Sequence, residues 1–337
     1  MKAEAIKNII TIGTSAGGFS AIAKLVTNFK PDLDAAIFIV IHLSGHSNSE
    51  IILKGIQKHT LLKCKVAEDQ QEIQNRTIYL AKADHQLLLI KGKMLVTKGA
   101  FENHWRPAVD VLFRSAAAAY GSCVTGIILT GLMDDGVSGM YAIKRSGGLC
   151  IVQDPEEAEF PDMPNSVLEV MEVDYKVTLN EIGPILSNRF SHTTCVETEI
   201  PAEVKLEAEI TRRMTTNMKD LSKLGDFSHL TCPDCGGTMV RITNDAIPRY
   251  RCYTGHSFTE RIFEEQQLKG IEDSLWVAIR MMEERKNLLM NMSRPRMADQ
   301  GLPADTSRNE RAEGIQLHID RLRKMLMDLG NLPGTAD

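Results

Sequence analysis

The apolar run Ile9-Ile10-Thr11-Ile12 breaks directly into Gly13-Thr14-Ser15-Ala16-Gly17-Gly18, then into the helical stretch Phe19-Ser20-Ala21-Ile22-Ala23-Lys24-Leu25. A buried strand that turns through glycines into a helix commits the chain to a strand followed by a covering helix. The sharp corner also lifts one side chain out beside helix N–H groups that favour developing negative charge. Here that side chain is the Ser15 hydroxyl.

Further strand patterns occur at Ala36–Ile41, Thr77–Ala81, Val124–Leu129 and Leu149–Val152, all rich in β-branched residues. Helical stretches lie between them, including Val109–Tyr120 and Gly139–Ser146, the latter closed by Gly147-Gly148. Short apolar strands alternating with helices predict an α/β fold with a doubly wound, mostly parallel sheet. Leu87–Ile90 and Met94–Thr97, joined by Lys91-Gly92-Lys93, predict an antiparallel hairpin added to that sheet.

The composition changes after Ser191, and the expected organisation is a catalytic domain over 1–191, a linker helix within 192–226, a zinc-stapled module over 227–258 and a helical tail over 259–337. Pro201–Asp220 carries Val204, Leu206, Ile210 and Met214 at helical spacing and no glycine. A long helix is expected over Thr259–Met292, then a breaker-rich stretch over Ser293–Asp305. A last helix is expected to be capped by Ser307 with Glu310 and to end near Gly330, the two helices pairing as an antiparallel hairpin.

Serine is a useful nucleophile when a neighbouring base removes its proton and a carboxylate fixes that base. In an open parallel sheet the carboxyl ends of adjacent strands converge on one edge. Ser15 follows the first strand, His42 ends the second in Ile39-Val40-Ile41-His42, and Asp135 follows the strand Ile127-Ile128-Leu129. The same residues also suit plainer roles: a helix cap, a hydrogen-bonded histidine, and a turn at Asp134-Asp135-Gly136.

The blocks Ile12–Gly18, Ile39–His42 and Leu129-Thr130-Gly131-Leu132-Met133-Asp134-Asp135-Gly136 resemble the catalytic blocks of CheB-type protein-glutamate methylesterases. So do Arg106-Pro107-Ala108-Val109-Asp110, Gly147–Asp154 and Met163-Pro164, in the family's order. The resemblance implies Ser15 as nucleophile, His42 as general base and then acid, Asp135 as orienting carboxylate, and the Leu132 backbone N–H as oxyanion donor. The implied reaction is hydrolysis of γ-glutamyl methyl esters on a chemoreceptor-like signalling helix, with glutamine deamidation by the same acyl-enzyme route. His85, Arg106 and Asp110 are rim or support residues in this reading. The family commonly has threonine at the position of Ala16 and Met-Gly at Leu132-Met133. Its familiar chemotaxis member carries a receiver domain before the catalytic half. With the serine motif starting at residue 13, control is expected from the C-terminal half or from a regulatory protein bound there. The competing expectation is a non-catalytic adaptor that keeps the esterase fold and signals through its C-terminal half. A dinucleotide-binding oxidoreductase is excluded, because Ser15 stands where the second fingerprint glycine belongs and His42 where a ribose-binding acid would be.

Thr231-Cys232-Pro233-Asp234-Cys235-Gly236-Gly237 and Arg251-Cys252-Tyr253-Thr254-Gly255-His256 offer a Cys-x2-Cys knuckle and a Cys-x3-His pair. Four such ligands predict a closed, structural zinc site at Cys232, Cys235, Cys252 and His256, with no cofactor needed for the ester chemistry. His229 is expected to be structural. The remaining cysteines Cys64, Cys123, Cys150 and Cys195 are expected as small thiols, and the odd total of seven argues against a disulfide framework and for a reducing cytoplasm. A net charge of −5 gives no footprint for nucleic acid. A patch from Arg241, Arg249, Arg251, Tyr250 and Tyr253 is the alternative expectation for nucleic acid, with protein contact favoured for the module. No apolar run approaches the roughly 20 residues of a membrane span.

Overall fold

The computed structural model describes residues 8–192, 195, 198–293 and 306–329. The first half alternates as expected: β1 (Ile9–Thr14), α1 (Gly18–Thr27), β2 (Ala36–Ile41), α2 (Ser49–Gln57), β3 (Lys63–Val66) and β4 (Thr77–Leu80). It continues through β5 (Gln86–Ile90), β6 (Lys93–Thr97), α3 (Val109–Tyr120), β7 (Val124–Ile128) and α4 (Val137–Arg145). β8 (Leu149–Gln153), α5 (Asp162–Val170), β9 (Tyr175–Val177) and α6 (Leu179–His192) complete it.

Seven strands form one parallel sheet in the order β3-β4-β2-β1-β7-β8-β9. Alternate residues of each strand supply two cores. Phe38, Val40, Ile128 and Val152 pack with Leu112, Phe113, Met140 and Val167 of α3, α4 and α5. On the other face Ile37, Ile39, Ile127 and Ile151 pack with Ile22, Leu25, Ile56 and Ile182 of α1, α2 and α6. Burial on both faces explains why the central strands read as unbroken apolar runs. The edge strands β3 and β9 gave no such run: Lys63-Cys64-Lys65-Val66 and Tyr175-Lys176-Val177 are partly exposed and carry the lysines typical of a sheet edge. The hairpin β5–β6 forms in register, but as a separate two-stranded sheet and not as part of the main one. It lies against α3, where the Leu89 N–H donates to Ser115 Oγ at 3.0 Å.

The chain divides into two compact units, Met1–Ile262 and Phe263–Asp337. The first includes α7 (Ala202–Arg213), α8 (Met218–Leu221), β10 (Gly225–Thr231), β11 (Thr238–Ile242), β12 (Arg249–Cys252) and β13 (Ser257–Thr259), so the cysteine–histidine module shares a unit with the parallel sheet. The helix expected to reach Asp220 stops at Arg213, where Met214 takes a left-handed φ of 54°. α7 buries Val204, Glu207, Ile210 and Thr211. Strands β10 to β13 make an antiparallel sheet in chain order.

Two expectations fail here. Cys123 and Cys195 are not free thiols; they form a disulfide, so the cysteines do not argue for a reducing compartment. Beyond α6, Thr198 lies at the ends of α3 and α4, where its Oγ1 donates to Ser146 O at 2.6 Å, and Cys195 meets Cys123. Spacing along the chain carries no trace of that meeting. Nor do Arg249 and Arg251 form a surface patch: both are fully buried and paired with carboxylates.

The long helix α9 (Glu260–Ser293) and the last helix α10 (Thr306–Leu329) follow; most of the breaker-rich stretch lies outside the described residues. Ser307 falls inside the first turn of α10 rather than before it. Within the second unit the two helices run antiparallel. Arg308 reaches Met292 O, Lys286 reaches Gln316 and Arg323 reaches Glu283, in reversed order along the two helices. Ile279, Leu289, Ala312 and Ile319 are buried in this unit. No helix among the described residues is long and apolar enough to cross a membrane.

Candidate active site

β1 lies between β2 and β7, where the strand order reverses, so the crevice at its carboxyl end is the position where open α/β sheets gather functional groups. Ser15 leaves β1 at this point and Gly17, with φ of 72°, turns the chain into α1. His42 leaves β2 level with Ser15: Thr14 pairs with Ile41, and the His42 N–H donates to Thr14 O at 3.1 Å. The loop after β7 closes over both, with the Ser15 N–H donating to Thr130 O at 3.1 Å. Its approach requires glycine, because a Cβ on Gly131 would lie 2.9 Å from Ser15 Cβ and 2.2 Å from the Met163 sulfur.

Asp135 sits in the same loop, 1 % exposed, and all its partners are donors. Oδ2 accepts from His42 Nε2 at 2.7 Å and from the Val109 N–H at 2.7 Å. Oδ1 accepts from Asn103 Nδ2 at 2.9 Å and the Asp110 N–H at 3.3 Å. The two backbone donors come from the first turn of α3, which offers unpaired N–H groups and a favourable dipole to an anion. This approach depends on Gly13, where a Cβ would fall 2.2 Å from Val109 Cγ1. Burial pushes the Asp135 carboxyl up, but hydrogen bonds from His42, Asn103 and Val109 outweigh it and hold it below the ordinary carboxylate value. Asp110, also fully buried, moves the other way: burial and then the neighbouring Asp135 charge raise it well above its usual range.

With Nε2 facing a carboxylate, the neutral His42 ring carries its proton there and its lone pair on Nδ1. Nδ1 is buried and has no hydrogen-bond partner among the described residues. The ring stacks on Trp105 with centroids 4.2 Å apart and planes 8° apart. Ser15 Oγ is half-buried nearby and makes no hydrogen bond among the described residues. Leu132 is 45 % exposed, and its N–H has no acceptor among the described residues. Next to it Met133 adopts φ of 69°, the left-handed conformation that glycine takes without penalty.

The structure thus brings His42 and Asp135 into contact, sets Ser15 on the adjoining strand end, and buries Asp110 beneath Asp135. His85 and Arg106 are not bonded to any of these. His85 Nδ1 contacts Ala83 O at 2.9 Å, and Arg106 Nε donates to Asp84 at 2.9 Å. Sequence reasoning missed Asn103 and Trp105, which touch Asp135 and His42 from one tight turn. An asparagine two residues before one of the chain's two tryptophans, just ahead of Arg106-Pro107, was the available signal.

At the far end of the module, Cys232, Cys235, Cys252 and His256 present ligand atoms all within 4.8 Å of one another. Cys235 Sγ and Cys252 Sγ are 3.8 Å apart, and His256 Nδ1 is 3.6 Å from both Cys232 and Cys252. A tetrahedron with metal–sulfur bonds of about 2.3 Å has sulfur–sulfur edges of about 3.8 Å, so the donor set fits one tetrahedral metal ion. His229 is exposed and stands outside this cluster.

A serine at a glycine corner, a histidine and a carboxylate at adjoining strand ends are the kinds of group that acyl transfer uses. Residues 10–186 match the family model described as CheB methylesterase. A Leptospira interrogans protein, provisionally assigned as a protein-glutamate methylesterase/protein-glutamine glutaminase, is 37 % identical over 177 residues, covering 52 % of this chain and 91 % of that one. A Myxococcus xanthus protein-glutamate methylesterase/protein-glutamine glutaminase is 31 % identical over 49 % of this chain, which there spans 48 % of the relative's length. The crystal structure of the Thermotoga maritima CheB methylesterase catalytic domain superposes with a TM-score of 0.51 at 31 % identity, covering 54 % of this chain and 97 % of that domain. In sequence and in fold alike, over residues 10–186, the chain belongs to the CheB methylesterase family.

Proposed function

We propose that the protein is a serine esterase that hydrolyses γ-glutamyl methyl esters on a methylated chemoreceptor or similar signalling helix, in chemotaxis-type signalling in the cytoplasm. Ser15 Oγ attacks the ester carbonyl as its proton passes to His42 Nδ1. The Leu132 N–H donates to the oxyanion. The tetrahedral intermediate collapses and methanol leaves with the proton from His42. Water, deprotonated by His42, then cleaves the acyl-enzyme to free the glutamate and restore Ser15. A glutamine side chain follows the same route with ammonia as leaving group. Ser15 Oγ and Nδ1 close on each other when substrate enters, since such contacts commonly tighten only in the complex.

The observation that carries this reading is the Asp135 carboxylate, buried and surrounded by donors, with His42 Nε2 at 2.7 Å. That arrangement holds the lone pair on Nδ1 and favours the imidazolium formed during attack. Structural zinc at Cys232, Cys235, Cys252 and His256 would staple the module and supply no step of the reaction. The C-terminal half is the expected seat of a regulatory protein.

The test is methanol release from a methylated receptor fragment by the full chain and by Ser15→Ala. A loss of at least about a thousandfold is expected. Equal release by the two proteins would remove Ser15 from the chemistry.

A further inference from the structure

Glu102-Asn103-His104-Trp105 is a tight turn in which the Glu102 N–H and Trp105 N–H each bond the other residue's carbonyl, at 3.3 and 2.8 Å. Its central residues Asn103 and His104 both take left-handed φ, 50° and 67°. Non-glycine residues hold such angles only where surrounding contacts over-determine them. The turn is also where the site's supports meet. Asn103 Nδ2 donates to Asp135 at 2.9 Å and to Asp110 at 2.8 Å, and the Trp105 ring backs His42.

What fixes the turn comes from the cysteine–histidine module. The Ser257 N–H donates to Phe101 O at 3.3 Å and the Asn103 N–H to Ser257 O at 2.7 Å, adding residues 101–103 to the free edge of β13. The Thr259 N–H donates to Asn103 Oδ1 at 3.1 Å, which sets which end of that amide faces Asp135. Arg251 Nη1 donates to Glu102 Oε1 at 2.9 Å. Both anchors adjoin ligand positions: Arg251 precedes Cys252, and β13 begins immediately after His256. The Cys252 N–H closes the connecting turn onto His256 O at 2.9 Å. One metal held by Cys252 and His256 would therefore lock the β12–β13 hairpin that presents Arg251, Ser257 and Thr259.

We infer that the cysteine–histidine module positions the catalytic groups: through β13 and Arg251 it holds the Glu102–Trp105 turn, whose Asn103 amide and Trp105 ring fix Asp135 and His42. Loss of the metal frees the hairpin, the turn relaxes from its left-handed angles, and the carboxylate and imidazole lose their alignment. Asn103, Trp105 and Thr259 are positioning residues, acting through Asp135 and His42. The inference rests on the esterase reading for its kinetic part and on geometry alone for its structural part.

The experiment uses the full chain carrying Trp276→Phe, so that Trp105 is the remaining tryptophan, with p-nitrophenyl acetate as substrate. Three proteins are compared with this parent for bound zinc, near-ultraviolet circular dichroism without substrate, and kcat and KM. They are Cys235→Ser, the parent stripped with 1,10-phenanthroline, and Asn103→Gly, which tolerates the turn's φ but lacks the amide. The stripped parent and Cys235→Ser are expected to lose zinc and the Trp105 signal, and to fall at least tenfold in kcat with KM within twofold. Zinc restores the stripped parent. Asn103→Gly keeps zinc and shows the same loss in kcat. The inference is overturned if metal-free protein keeps kcat within twofold and an unchanged Trp105 signal, or if Asn103→Gly turns over like its parent. Should Ser15→Ala prove fully active, the esterase reading fails instead. The Trp105 signal then decides alone, and an unchanged signal on zinc removal overturns the inference.

Discussion

Replacing Asp135 with asparagine tests the proposed chemistry at one atom. The four groups around the carboxylate, His42 Nε2, the Val109 and Asp110 N–H groups and Asn103 Nδ2, are all donors. An amide must turn its NH2 toward two of them. Directed at His42 and Val109, it leaves the Val109 N–H unsatisfied and asks the imidazole to accept at Nε2. The ring proton then moves to Nδ1 and the lone pair needed by Ser15 is gone. Directed at Asn103 and Asp110, it keeps the tautomer but supplies a neutral acceptor where an anion held the imidazolium, and it opposes one NH2 with another. A misplaced tautomer costs about 10⁴ in kcat in a serine triad. At roughly 1.4 kcal/mol per decade, that is about 5 kcal/mol of transition-state stabilisation. The expected result for Asp135→Asn is a fall of about 10³ to 10⁴ in kcat for methanol release with KM little changed. A folded variant within tenfold of the parent would refute the assignment of Nδ1 as the base.

Other tests concern the seam between sheet and module. Glu207, buried, bonds Arg249 at 2.7 and 2.9 Å and Arg251 at 3.2 Å. Burial raises its carboxyl, but Arg114, Arg249 and Arg251 outweigh that and hold it well below the ordinary range. Glu207→Gln leaves buried guanidinium charge uncompensated and is expected to cost about 3–5 kcal/mol in urea unfolding followed by Trp105 emission in the Trp276→Phe background; a cost under about 1 kcal/mol would contradict the argument. Asp134 is displaced upward to about 6, chiefly by burial. Its folded pKa lies above the unfolded value, so its contribution to stability is complete below about pH 4 and lost as pH rises through 6. Asp134→Asn should match the parent near pH 4 and exceed it by about 2–3 kcal/mol at pH 8, and a pH-independent difference would refute the cause given.

Legibility in the sequence followed the range of the forces involved. The central strands announced themselves because burial on both faces demands continuous apolar runs, as in Ala36–Ile41. Helix α3 was visible to the residue, Val109–Tyr120, because its start and end are local events. The glycine corner and the strand-end His42 likewise follow from neighbours in the chain. Asn103, by contrast, gains its role from Asp135 and from Thr259, 156 residues away. Arg249 and Arg251 look like surface cations until Glu102 and Glu207 are brought to them by other elements. The disulfide partner of Cys123 depended on the path of the chain after α6, which no periodicity encodes.

The Glu102, Glu207 and Asp245 carboxylates meet the Arg114, Arg249 and Arg251 guanidinium groups in one buried seam, with donors and acceptors drawn from α3, α7, the 102–105 turn, the β11–β12 loop and β12. Such a joint ties distant stretches of the gene into a single heritable block. A chimera grafting another protein's metal knuckle onto this catalytic half would strand opposite charges inside the joint unless their counterparts travelled with it. In this protein the charges of the small appendage and of the large sheet are matched like two halves of one lock.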